Sequence, residues 1–231
     1  MDQTTHFNNS LLRLADTKLV LGNICIATVF NGRSLGDFAT MLAIAGTSLG
    51  ATRALYRLLE TAGEDYSWLE RGRDASQIAS IDVLDTAPES WADLMITIYL
   101  AEAASCALTR KLEKHADRII ANQSKMISKE SIFHMAYCLG WIKTLIEYES
   151  DTVQAVVLKR LPSALRWVDQ CEPQVKEQFV DSINALLGLN HLEMPVALDI
   201  TSQWNSALGR AHALPSSLWE IVRFKDPELA R

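Results

Sequence analysis

Two long windows of the sequence, residues 1–87 and 89–161, contain no proline. Without that breaker, long helices can run uninterrupted. Strand-like alternation of apolar and polar residues is equally scarce, which argues against a sheet. No block of Lys and Arg occurs: 22 basic and 28 acidic residues are mixed along the chain, giving a formal charge of −6 and a pI near 5.4. A row of phosphates would find nothing to neutralise it, so nucleic acid is not expected as a partner. The opening MDQTTHFNNS has no basic stretch leading into an apolar one, so no secretory signal is read and a cytoplasmic location is expected. Long apolar stretches such as LVLGNICIATVF are broken by Asn23 and Thr28 and fall short of the ~20 residues of a membrane span, so no transmembrane helix is expected.

Close cysteine pairs are also missing. Cys25, Cys106, Cys138 and Cys171 lie far apart, which excludes a zinc ribbon or a redox CxxC and leaves reduced core thiols as the simplest reading. No Gly-rich phosphate loop of the GxxxxGK[ST] or GxGxxG type occurs. What the sequence does have is 231 residues that are 48% hydrophobic, enough to bury one sizeable core in a single large domain.

Apolar residues recur at helical spacing, as in Leu12, Ala15, Leu19 and Ile26, or Leu94, Ile98, Ala101 and Leu108. The pattern predicts helices over about 10–30 and 36–62, separated by the turn NGRSLGD, then a long crossover ending at Pro88. A third helix is predicted over about 89–121, and a fourth from KMISKES to about Tyr148. Further helices near 151–171, 173–188 and 198–213 are expected outside the core, with Pro162 bending or interrupting the first. Two helical hairpins joined by a crossover is the order of ferritin-like bundles, so the expected fold is all-α, a ferritin-like four-helix bundle with additional C-terminal helices. The whole of 1–231 is read as one domain, its core bundle over about 10–150 and peripheral helices over about 151–213.

Such bundles host di-iron centres that need about four carboxylates and two histidines, with a Glu-x-x-His on each of two helices. Here KESIFHMAYCLGW, residues 129–141, places Glu130 and His134 about 40° apart around one helix, close enough to share an ion. Ile127, Met135, Cys138, Ile142, Leu145 and Ile146 define its apolar face, with His134 on the flank, Glu130 nearer the edge, and Lys143 and Glu147 opposite. Glu102 on the third helix and Asp16 on the first are further acids in apolar surroundings. The second helix, however, offers FATMLAIAGTSLGATRALY, with no Asp, Glu, His or Cys, and neither Glu-x-x-His nor Asp-x-x-His occurs anywhere. No metal ligand, catalytic residue or cofactor-binding residue is therefore assigned. Asp16, Glu102, Glu130 and His134 are read as a residual polar core whose members satisfy one another. His134 and Cys138 are not read as a nucleophile pair, because mid-helix N–H groups are already donated and leave no oxyanion hole. Gly46 and Gly50, with Ala43, Ala45, Ser48 and Ala51, form a small-residue strip suited to close helix contact, a substrate channel being the alternative.

Taken in order, LLRLADTKLVLGN at 11–23, LGATRALYRLLETAGE at 49–64, WADLMITIYLAEAASCALTRKL at 91–112 and KESIFHMAYCLGW make the chain resemble the PaaC family. That family supplies a subunit of the multicomponent phenylacetyl-CoA ring-epoxidising monooxygenase. The resemblance covers most of residues 11–150 and implies a ferritin-like, structural, non-catalytic subunit without its own cofactor. The di-iron centre is then expected in a catalytic PaaA-type paralogue that pairs with it. A small bridging subunit and an iron-sulfur flavin reductase would complete the complex, and a homodimer is compatible with the isolated chain. The chain departs from the family at Thr47 and Ala51, where an acid and Gln are usual, and at Ala104 and Ser105, where an aromatic and His are usual. The alternatives are a divergent stand-alone ligand-binding or scaffolding protein, and an oxidase with an irregular metal site around Glu102, Glu130 and His134.

Overall fold

A computed structural model describes residues 3–223. Six α-helices follow one another: α1 (Gln3–Thr28), α2 (Leu35–Thr61), α3 (Trp91–Leu112), α4 (Arg118–Asp169), α5 (Pro173–Asn190) and α6 (Ser216–Val222). Among the described residues there is no named strand, only an isolated bridge between Asn205 and Arg210. α1 packs along α2 and α3 along α4, and the segment between Thr61 and Trp91 crosses from one hairpin to the other through short helical turns. This is the ferritin-like order expected from the sequence.

Local chemistry sets the boundaries. Ser34 and Ser90 cap α2 and α3, their hydroxyls accepting from the backbone N–H groups of Asp37 and Asp93. α3 ends at Leu112, short of the expected 121, and α4 opens at Arg118 because the Asp117 carboxylate accepts the Ile119 N–H at 2.7 Å. The predicted end near Tyr148 coincides with a kink at Glu149 (φ −139°, ψ 38°), after which helix resumes at once and runs through Pro162 to Asp169.

No helix forms over 198–213, contrary to expectation. The Asn205 side chain there accepts the N–H groups of Ala207 and Leu208 at 2.9 and 3.2 Å, and Gly209 takes a positive φ of 71°. A Cβ at Gly209 would meet the Arg13 guanidinium at 2.9 Å, which would have to shift, and the positive φ disfavours a side chain there in any case.

α3 is the element around which the rest is built. It is long and apolar enough to cross a membrane by length and composition, yet it is buried on all faces inside the protein. α5 contributes Val175, Phe179, Ile183 and Leu186 to the same core cluster, and the Tyr99 hydroxyl of α3 donates to Ser182 O of α5 at 2.6 Å. A helix apolar around its whole circumference needs such neighbours on every side.

Candidate functional site

At the centre of the bundle each of the first four helices contributes a polar side chain to one hydrogen-bonded chain. Lys18 of α1 donates to Glu102 Oε2 of α3 at 2.5 Å and to Ser131 Oγ of α4 at 2.9 Å. His134 Nδ1 of α4 lies 2.8 Å from Glu102 Oε1, and its Nε2 lies 3.0 Å from the hydroxyl of Thr47 on α2. An ionised carboxylate only accepts, so Nδ1 carries a proton. Lys18, Glu102, Ser131 and His134 are all buried.

Burial by itself pushes the Glu102 carboxyl up. The Lys18 ammonium and the His134 hydrogen bond outweigh it and hold the group down, at about 2. Glu102 is therefore ionised throughout the physiological range, with both oxygens engaged.

The four residues singled out in the sequence do not form one cluster. Glu102 and His134 meet as expected, and His134 sits within the buried stripe Ile127, Ser131, Cys138 and Ile142 rather than on its flank. Asp16 belongs to a second station. It accepts from Arg73 at 2.7 Å on each oxygen, from the Tyr56 hydroxyl at 2.7 Å and from the Ala79 N–H at 2.7 Å. Those bonds fasten the crossover to α1 and α2. Glu130 is half-buried and has no hydrogen-bond or ion-pair partner among the described residues. Its backbone position leaves it at the rim of the stripe that Ser131 and His134 occupy, so it does not join the cluster.

Two partners went unread in the sequence. Lys18 had a visible signal, since it falls seven residues from both Leu11 and Cys25, on a stripe that is otherwise buried and apolar. Arg73 had none, lying in the crossover 57 positions along the chain from Asp16. The small-residue strip divides: Ala45, Ser48 and Ala51 are buried, whereas Gly46 and Gly50 face outward with nothing within 4 Å of an added Cβ. Cys25, Cys106 and Cys138 are buried free thiols and Cys171 is half-buried. Burial pushes the Cys138 thiol up, the opposite of what a nucleophile needs.

A di-iron centre does not fit these side chains. Around Glu102 the helices bring an ammonium, two hydroxyls and one imidazole, so the cluster holds a single carboxylate and already contains a cation that would repel a metal ion. Among the described residues no three His, Cys, Asp or Glu side chains gather where an ion could be held.

Comparison with curated proteins gave no match. The family model described as phenylacetic acid catabolic protein, PaaA_PaaC, matches residues 1–152, which span α1 to α3 and the first limb of α4. With the match covering well over half of the chain, and taking in all four helices that meet at Glu102, the protein belongs to the PaaA/PaaC family of phenylacetic acid catabolic proteins.

Proposed function

We propose that this chain is the non-catalytic, structural subunit of a multicomponent di-iron monooxygenase of phenylacetate catabolism, acting on phenylacetyl-CoA. In that role it pairs with a catalytic ferritin-like paralogue that holds the iron, with a small bridging subunit in the same complex. The observation that carries the reading is the engagement of both Glu102 oxygens by Lys18 and His134. Ligand positions in this architecture project inward from facing helices, and here the inward positions are spent on an internal salt bridge.

A subunit of this kind holds shape and surface for its neighbour. The apolar side chains of Phe30 and Leu35 at the α1–α2 turn, 86% and 84% exposed, and of Leu42 on α2 give it a face for another protein. Co-expression with a paralogue carrying two Glu-x-x-His motifs, followed by size-exclusion chromatography and iron analysis, tests the reading. The expected outcome is a stable heteromer with iron confined to the partner. Stoichiometric iron and oxygen consumption in the isolated chain would overturn it, as would failure to associate.

A further inference from the structure

The limb of α4 that precedes its kink carries two parallel stripes on its outer side. At ~100° per residue, Ile119, Met126 and Phe133, spaced seven apart, fall within an arc of ~40° around the helix. They are 70%, 58% and 75% exposed, so a line of large apolar side chains about 21 Å long faces outward. Arg118, Lys125, Lys129 and Lys143 fall within a second arc of ~40° beside the first, and all four are exposed.

These cations are not spent inside the protein. Among the described residues no side-chain hydrogen bond or ion pair engages any of the four, whereas the buried Lys18, Arg73, Arg160 and Arg210 are each paired with an acid. The acids of the same limb stand aside. Asp117 turns back to cap Ile119, Glu130 lies half-buried on the opposite flank of the apolar line, and Glu147 comes only at the far end of the cationic stripe. A chain of net charge −6 thus keeps a local surplus of positive charge along one helix. A lipid headgroup layer attracts cations whatever their spacing. Here the apolar residues keep an interval of seven, as do Arg118 and Lys125, which is the register a facing helix can match, with flanking charges selecting the partner.

We propose that this face of α4 docks an acidic amphipathic helix of another protein, whose apolar side chains pack on Ile119, Met126 and Phe133 and whose carboxylates pair with Arg118, Lys125 and Lys129. The apolar line runs away from the α1–α2 turn, which α4 meets where Trp141 donates to Asp37 at 2.8 Å, and the docking does not rest on the subunit role proposed above.

A labelled helical peptide of about 25 residues, with Leu at the core positions of each heptad, Glu on the flanks and Ala elsewhere, spans the stripes and tests this. It is compared with its Gln and Lys counterparts by fluorescence anisotropy on the intact protein. The Glu peptide is expected to bind saturably at low salt, the Gln peptide on the order of tenfold or more weaker, and the Lys peptide not at all. Lys125→Glu/Lys129→Glu, altered only at exposed positions, should reverse that preference and take up the Lys peptide with unchanged melting temperature. Phe133→Ser should weaken the Glu peptide on the order of tenfold. Equal binding of the Glu and Gln peptides, retention of the Glu peptide by the charge-reversed variant, full affinity in Phe133→Ser, or no peptide binding would each overturn the proposal. Sedimentation with phosphatidylglycerol vesicles without saturable peptide binding would overturn it in favour of a membrane surface.

Discussion

Replacing Lys18 strands a carboxylate at the centre of the bundle. Both Lys18 and Glu102 are buried, and breaking a buried pair by removing one member costs ~3–5 kcal/mol, most of it the penalty of the charge left behind. Lys18→Met is therefore expected to lower unfolding stability by about that amount in urea titrations. The double variant Lys18→Met/Glu102→Leu should recover most of the loss, because it removes the second charge as well. The same pair sets a pH dependence. In the unfolded chain Glu102 takes up its proton near the ordinary value of 4.5, and in the folded chain only at about 2. A depressed carboxyl stabilises the fold above the unfolded value and loses that stabilisation as pH falls through the folded one, here on the order of 3 kcal/mol between about pH 5 and 2. Stability measured by urea across pH 2–6 should fall steeply in the native chain and with a shallower slope in Glu102→Gln.

Among the elements, the crossover depends on ion pairs more than on helix propensity. Asp16 ties Arg73 and Ala79 to α1, while Arg160 of α4 grips Asp93 at 2.7 and 2.8 Å and also donates to the carbonyls of Val83 and Thr86. Burial pushes the Asp93 carboxyl up, and the Arg160 hydrogen bonds, the Glu89 N–H and the charge of Arg160 together outweigh it, leaving it lowered. Asp16→Asn keeps the shape of the side chain and removes the charge that Arg73 needs. Native-state hydrogen exchange should then show faster exchange at the Ala79 amide, with a global loss of ~3 kcal/mol, while the amides of α4 beyond its kink keep their relative protection. The helices themselves were largely legible, because proline-free windows and 3.6-residue spacing are local signals. The break at 113–117 was hidden, since it rests on one capping aspartate. The irregular 198–213 segment was hidden too, since its shape depends on Arg210 reaching Asp85 and Ser80 across the fold. Of the polar core, Glu102 with His134 could be read from a shared apolar environment, whereas the separation of Asp16 into its own station required a partner outside any periodic segment.

For the molecule as a whole, exposed apolar side chains occur at several places, among them Phe133 and Tyr148 on α4 and Val196 after α5, and one group of them surrounds the α1–α2 turn. The Phe30 and Phe38 rings pack with centroids 5.6 Å apart at the α1–α2 turn, and Leu42 continues the apolar surface one turn and more along α2. Leu42→Glu changes an exposed position, so its thermal stability should stay within ~0.5 kcal/mol of native. Its co-elution with the catalytic paralogue should be lost, because a charge buried in an interface without a partner is costly. Intact association in that variant would place the contact on another face.

The ammonium at Glu102 is covalently attached to α1, so its effective concentration does not depend on the medium. A centre neutralised by a bound ion can be emptied by a chelator or left vacant by starvation, and its stability then follows the supply of that ion. A centre neutralised by lysine is complete as soon as the chain folds. Melting curves with and without EDTA should superimpose. In an assembly whose partner must wait for iron, this chain would be ready first, a finished template against which an unmetallated neighbour can settle.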